Sequence, residues 1–197
     1  MHPVLARAVQ PFAEEIAAVG VAEAQVSPDP DFHRWCAQAV VEHLILSFQR
    51  SKLELQKRLK SNESPSGSCT FSQWILKKQV CWFGSMPYGV PASHVLYPRS
   101  FIPQPGQELA SRMLSEAKDL SDVLAACRFA FGLRPCGSHP IYGPMRVEEW
   151  RVYHAVHCQH HLRQFREAIA FARTHPESVA RSMAETQPTT ADAGHPE

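Results

Sequence analysis

Four of the eleven histidines in this 197-residue chain lie within eight consecutive positions, in the segment HAVHCQHH. At about 100° per residue of an α-helix, His154, His157 and His161 fall within one narrow arc, and Trp150 and Phe165 share it. The opposite side of the same helical wheel is polar: Glu148, Gln159, Arg163, Arg166 and Arg173. The three histidines are therefore predicted to lie on the buried stripe of a helix.

A group of buried histidines points to a metal site. Burying an imidazole is costly unless its nitrogens find partners. A divalent metal ion satisfies them, and the i,i+4 spacing of His157 and His161 stacks two rings on one face of a helix. The alternative is that each ring hydrogen-bonds to a neighbouring helix or to a buried water. The pair alone leaves both interpretations open, and His154 on the same arc favours the metal.

The kind of metal site is narrowed by motifs that are absent. No acidic residue lies three positions before a candidate histidine, which excludes the Glu-x-x-His pattern of di-iron carboxylate bundles, and the HExxH zinc-protease motif is also missing. The prediction is one divalent ion (Zn, Ni, Fe or Mn) with mostly nitrogen ligands. A third ligand must come from elsewhere, and the candidates are His33, His43, His94 and His139. His43 lies at the edge of the apolar stripe of its helix, so the pattern leaves this choice open.

The elements that would position these residues are mostly helices. Apolar periodicity and breaking residues predict helices at 2–19, 35–60, 71–83, 108–131 and 147–173. The proline-rich segment 84–106 and the segment 132–145 are predicted to be irregular connections. This is an all-α bundle with long irregular connections, in one domain over residues 1–175. Residues 176–197 have no apolar period and are predicted to form a disordered tail.

Composition excludes several classes of protein. The formal net charge of +1 gives no reason to expect nucleic-acid binding. No run of about 18 apolar residues predicts a membrane span. Pro11, Glu14 and Glu15 interrupt the first segment, so no signal peptide is expected. None of the six cysteines forms a CxxC pair, which argues against a structural zinc site and is compatible with reduced thiols in the cytoplasm.

Two segments resemble the DinB-like four-helix-bundle superfamily. HPIYGPMRVEEWRVYHAVHCQHHLRQF (139–165) is similar to its HPxFG…EEW…HHLRQ motif, nearest to an uncharacterised bacterial subfamily, with Tyr142 in place of the usual phenylalanine. RWCAQAVVEHLILSF (34–48) resembles the first ligand helix of that superfamily. The resemblance implies an up-down four-helix bundle in which His43, His157 and His161 hold one divalent ion. It also implies a position at the metal open to solvent or substrate, and often a homodimer.

The function implied by the resemblance concerns small molecules. Characterised relatives include metal-dependent thiol transferases and related isomerases, so a transferase that activates a small thiol, or a small-molecule hydrolase, is expected. The alternative is a non-catalytic, metal-stabilised or stress-associated bundle. Around the ligands, Gln164 is a candidate to orient an imidazole, Tyr153 to line a pocket and His139 to reach its mouth, with His154 nearby. The sequence identifies no general base.

Overall fold

The computed structural model describes residues 1–29, 34–87, 94–98 and 102–186. Its helices are α1 (Pro3–Ala17), α2 (Val21–Gln25), α3 (Ala37–Ser61), α4 (Phe71–Phe83), α5 (Gly106–Phe131), α6 (Val147–Thr174) and α7 (Pro176–Thr186). A two-stranded antiparallel hairpin, β1 (Gly137–His139) and β2 (Gly143–Met145), lies between α5 and α6. The predicted all-α bundle is confirmed.

The four long helices enclose the core. Helix α3 packs against α5 and α6, and α1 packs against the same two helices, so the four surround one apolar interior. Helix α4 lies on the outside of α6, while α2 and α7 pack on each other beside the bundle. The contact of α3 with α6 matters most for function, because it brings residues 100 or more positions apart in sequence to one place.

Local signals explain where the important helices begin. The Arg146 backbone N–H donates to the Glu149 carboxylate at 2.7 Å, which closes the first turn of α6, and acidic residues there suit the helix dipole. Helix α5 begins at Gly106, where a Cβ would collide with the backbone carbonyl oxygens of Ile16 and Val19. Only glycine therefore lets the start of α5 approach the end of α1 so closely.

Three elements differ from the sequence prediction. Segment 132–145, predicted to be irregular, contains the hairpin. Its two short strands consist of Gly, Ser, His, Pro and Met, and they show no alternation of apolar and polar residues from which a strand could be predicted. Gly143 closes its turn at a φ of 68°, which favours glycine. Helix α2 was not among the predicted helices, because its five residues are too few to show a helical period. The predicted disordered tail begins instead with α7, which starts at Pro176, a residue favoured at a first helical position; residues 187–197 lie outside the described residues.

The proline-rich connection is described only in part. Residues 94–96 form one 3-10 turn and residues 102–105 are irregular, in keeping with the prediction for this segment, while 88–93 and 99–101 lie outside the described residues. His33 lies outside them too, as does the side chain of His94. No helix within the described ranges has the length and apolarity that crossing a bilayer requires.

One ionisable residue is buried in the core without hydrogen bonds. His154 has no exposed surface, and neither ring nitrogen has a hydrogen-bond partner. Its ring lies against Phe48, Trp150 and Tyr153, at centroid distances of 5.3, 6.0 and 4.7 Å. Burial, with a smaller contribution from nearby His139, lowers the pKa of His154 to about 3 from its ordinary value of 6.5. The imidazole is therefore neutral in the folded protein at neutral pH.

We predict that this histidine makes the bundle sensitive to acid. The pKa of His154 is lower in the folded protein than in the unfolded chain, so the neutral ring favours the folded state. This contribution to the free energy of unfolding is complete above pH 6.5 and is lost as the pH falls towards 3. The free energy of unfolding of the metal-free wild type should fall as the pH is lowered from about 7 to about 5. In His154→Leu and in His154→Gln, this fall should be smaller than in wild type by about 2 kcal/mol. Urea unfolding at several pH values measures this. Equal losses in all three proteins would contradict the assignment.

Candidate metal centre

Three histidines from two helices converge on one point. The Nε2 atom of His157 lies 2.9 Å from Nε2 of His161 and 3.3 Å from Nε2 of His43. The ligand atoms of all three lie within 4.8 Å of one another. His43 comes from α3 and the other two from successive turns of α6. The structure thus places together the three residues that the resemblance assigns as ligands.

All three rings are buried. His157 and His161 lie on the inward arc of α6 and are 4% and 6% exposed, as its periodicity predicts. His43 is 3% exposed, although its position at the edge of the apolar stripe of α3 alone would have favoured a partly exposed ring. Its ring is buried because it points towards α6, where it meets His157 and His161 at ring-centroid distances of 5.2 and 4.7 Å.

The outer nitrogen of each ring is held by a separate group. His43 Nδ1 lies 3.0 Å from the backbone carbonyl oxygen of Leu96, and His161 Nδ1 lies 2.7 Å from the amide oxygen of Gln164. Both oxygens only accept, so each Nδ1 must carry the hydrogen and each Nε2 must carry a bare lone pair when the ring is neutral. His157 Nδ1 lies 3.4 Å from the Ser47 hydroxyl, which can accept from a protonated Nδ1 or donate to a bare one.

Burial keeps these imidazoles neutral. It is the largest cause that lowers the pKa of His157 far below its ordinary range, and the neighbouring His161 and His43 add to the effect. Burial, with His43 close by, lowers the pKa of His161 to about 3. The pKa of His43 is also lowered, again mainly by burial. Neutral rings with inward-facing lone pairs are the form in which histidine binds a metal.

The geometry of the three nitrogens fits a metal ion. An ion about 2.1 Å from each nitrogen would separate pairs of nitrogens by about 2.9–3.4 Å at bond angles of about 90–110°. The two separations to His157, 2.9 and 3.3 Å, lie in this range. Among the described residues, no fourth His, Cys, Asp or Glu joins the group. The three histidines could therefore hold one ion and leave a position that no described protein ligand fills.

A metal-free arrangement would be less well satisfied. Since the Nε2 atoms of His43 and His161 both carry lone pairs, only a hydrogen on His157 Nε2 could bridge to them, and one hydrogen cannot fully satisfy two acceptors. The remaining lone pair would face another nitrogen in a dry environment, which is unfavourable. A cation stabilises all three lone pairs at once.

Two aromatic side chains cover the centre. The Trp35 ring lies 4.8 Å from the ring of His43 and stacks at 6.3 Å on that of His161, with an interplanar angle of 15°. Tyr97 meets Trp35 edge-on at 5.5 Å. Together with the Leu96 carbonyl, this contact joins the proline-rich connection to the centre. The connection is therefore part of the wall of the site.

The centre opens on a cavity of about 1110 Å³. The cavity is lined by all three candidate ligands and by Trp35 and Tyr97 on one side. The hairpin contributes Ser138, His139, Pro140, Ile141 and Tyr142. A concave space of this size, partly apolar and reaching the histidines, suits a small organic molecule.

The other residues predicted from the sequence are now located. Gln164 hydrogen-bonds a candidate ligand, while Tyr153 and His139 line the cavity. Tyr153 also stacks on the His157 ring at 5.4 Å. His154 instead lies in the core, makes no hydrogen bond to the three ligands and is not part of the cavity wall. Of the other candidates for the third ligand, His139 lines the cavity but does not join the three histidines. His33 and the side chain of His94 lie outside the described residues.

Sequence reasoning did not identify three contributors. Ser47 lies four residues after His43, so helical spacing places it on the same face, a signal that was available. Trp35 was visible only as part of the family-like segment. The Leu96 contribution is a backbone oxygen, which no side-chain pattern can reveal. All six cysteines are unpaired in the structure, and none of them joins the histidines.

Comparison with known proteins adds one finding. A family model described as a protein of unknown function, DUF1569, matches residues 101–168, about a third of the chain. The matched stretch includes His157, His161 and Gln164 but not His43. No curated protein and no solved structure matches the chain. The part of the chain that carries two of the three candidate ligands is thus similar to a described family, and that family has no assigned function.

Proposed function

We propose that this chain binds one divalent metal ion through His43, His157 and His161 and is a metal-dependent enzyme acting on a small molecule. The reaction class we favour is transfer to or from a low-molecular-weight thiol. Hydrolysis of a small molecule is the second candidate reaction. The observation that carries it is the convergence of three histidine Nε2 atoms at the wall of a large cavity.

The resemblance to the DinB-like superfamily is part of the proposal. Two observations support it: the chain forms a helical bundle, and the histidines singled out by the family-like segments meet although 114 positions separate His43 from His157. A chance similarity of short motifs would not require that meeting. The superfamily assignment also supplies the thiol as a candidate substrate.

The chemistry expected at this site follows from the donor set. A divalent ion bound to three neutral histidines supplies a Lewis acid that lowers the pKa of a water or thiol in its open position. The chain itself supplies a dry wall and oriented polar groups. The Tyr153 phenol lies near the Ser47 hydroxyl, which itself lies beside His157. Burial raises the pKa of Tyr153 to about 12, so the phenol stays protonated and acts as a hydrogen-bond donor or acceptor rather than as a base.

The alternative function is a metal that only stabilises the bundle. A structural site is normally closed by a fourth protein ligand. The described residues provide no fourth ligand of the usual types, and the centre faces the cavity. These two observations favour a reactive site over a purely structural one.

A homodimer belongs to the same proposal. Helix α4 exposes an apolar surface that a second copy would cover: Phe71, Trp74, Ile75, Trp82 and Phe83 are each 44–79% exposed. Exposed apolar residues concentrated on one helix commonly mark an interaction surface.

The test of the proposal is metal content in protein purified without a histidine tag. We expect wild type to carry about one equivalent of Zn, Ni, Fe or Mn by elemental analysis, since three nitrogen ligands suffice for a catalytic site. His157→Ala removes the ligand that touches both others and should abolish binding. His175→Ala, on the residue that ends the same helix, should leave the stoichiometry unchanged.

Two results would contradict the proposal. One is wild-type protein that stays metal-free after incubation with each of the four ions. The other is an equal metal content in wild type and His157→Ala, which would place any bound ion elsewhere. Circular dichroism shows whether each variant keeps its helices.

The groups that hold the outer nitrogens give a second prediction. Removing a partner of a ligand imidazole typically lowers metal affinity about 10–100-fold. Gln164→Ala should fall in this range, because its oxygen accepts from His161 at 2.7 Å. Ser47→Ala should have a smaller effect, because its contact with His157 is 3.4 Å long. Competition with a chromophoric chelator measures both affinities; the reverse order would contradict this account of the contacts.

A further inference from the structure

One face of α3 continues from the metal centre along the cavity wall. His43, Ser47, Arg50, Ser51 and Glu54 all line the cavity, and at about 100° per residue they fall within an arc of about 100°. Arg50 follows His43 by seven residues, which places it about 10 Å further along the helix axis. The cavity wall therefore carries a cationic residue beyond the three histidines.

The Arg50 guanidinium has no partner within the described parts of the chain. No hydrogen bond or ion pair joins its side chain to any of those residues. Its neighbours on α3 differ, since Lys52 is paired with Glu116 and Arg58 with Glu54. An arginine that lines a cavity and remains unpaired is available to a ligand.

Of the two carboxylates that line the cavity, Glu54 and Glu167, only Glu54 belongs to α3, and it is already engaged. Glu54 Oε1 accepts from Arg58 Nε at 2.9 Å and from the Ser138 backbone N–H at 3.4 Å. The second of these contacts also shows that strand β1 lies directly beside this part of α3. Arg50, one turn before Glu54, therefore faces the cavity close to β1.

Strand β1 adds hydrogen-bond donors at the same place. His139 Nδ1 accepts the Ile141 backbone N–H at 3.1 Å, so the neutral ring carries its hydrogen on Nε2. Burial lowers the pKa of His139 to about 4, so the ring is neutral at physiological pH. Nε2 of His139 and the hydroxyls of Ser51 and Ser138 have no hydrogen-bond partner in the described chain. This end of the cavity is rich in unused donors.

The donor-rich end is connected to the candidate metal centre by a series of contacting rings. His139 lies 4.9 Å from Tyr153, and Tyr153 lies 5.4 Å from His157, measured between ring centroids. The Cα–Cβ bond of a helical residue tilts towards the helix N-terminus, so the side chain of Arg50 leaves the helix in the direction of His43. One extended small molecule can therefore reach both places.

We propose that Arg50, with Ser51, Ser138 and His139, forms a subsite for the anionic group, a carboxylate above all, of the small molecule whose other end reaches the three histidines. This inference rests on the proposed function and names its substrate class: an elongated molecule with a metal-seeking group at one end and a carboxylate at the other. Arginine is suited to this role because its planar donors bind a carboxylate in pairs.

The experiment uses full-length protein loaded with cobalt(II) and two probes of equal length, mercaptohexanoate and mercaptohexanol. Each thiol is titrated while the sulfur-to-cobalt charge-transfer absorption is followed. Wild type should bind the carboxylate probe on the order of tenfold more tightly, the effect of one charge-assisted contact. Arg50→Gln should remove this preference, and Arg50→Lys should restore part of it. Mercaptoacetate, too short to span the two places, should show no advantage over mercaptoethanol.

A matched control comes from the other side of the cavity. Arg34 also lines the cavity, next to Trp35, and Arg34→Gln should keep the full preference for mercaptohexanoate. Equal binding of the two long probes by wild type, a preference that survives in Arg50→Gln, or its loss in Arg34→Gln alone would each overturn the subsite. A failure of every thiol to change the cobalt spectrum would instead contradict the open metal position and thus the proposed function.

Discussion

The site depends on one electrostatic constraint: the inner lone pairs of His43 and His161 both face the His157 ring in a dry environment. The Leu96 carbonyl and the Gln164 amide oxygen force the hydrogens of His43 and His161 onto their outer nitrogens. A single hydrogen on His157 Nε2 cannot fully satisfy both of these inner lone pairs, whereas a cation between the three rings would stabilise all of them. A cation in turn would link α3 to α6, so the same ion would stabilise the bundle and create the reactive position.

The bundle supplies the rigidity that this constraint requires. The two helices that carry the candidate ligands are 25 and 28 residues long and pack directly on each other. The hairpin lies against α3 through Ser138 and Glu54, and the proline-rich connection reaches the centre through Leu96 and Tyr97. The described parts of the irregular segments thus complete the cavity, while the helices carry the candidate ligands. This division is common where binding sites are built by loops on a stable scaffold.

Physical pattern alone predicted the five longest helices and two of the three candidate ligands. The 3.6-residue period of α6 placed His157 and His161 inward, because opposite faces of that helix differ sharply in polarity. His43 could be selected only through the family resemblance, since its own helix puts it at a stripe edge and burial depends on what α6 presents to it. The hairpin was not predicted because three-residue strands have too few positions to show an alternation of apolar and polar residues. The contact of Leu96 with His43 was not predicted because it involves a backbone oxygen that only the tertiary fold brings to the site.

The central claim is that one ion is bound by three imidazoles and by no thiolate. X-ray absorption spectroscopy of the zinc-loaded protein tests it most directly, because it reports the type, number and distance of the atoms around the metal. The account predicts three imidazole nitrogens at about 2.0–2.1 Å, with the remaining coordination from light atoms. Sulfur at about 2.3 Å, or scattering from fewer than three imidazoles, would contradict it.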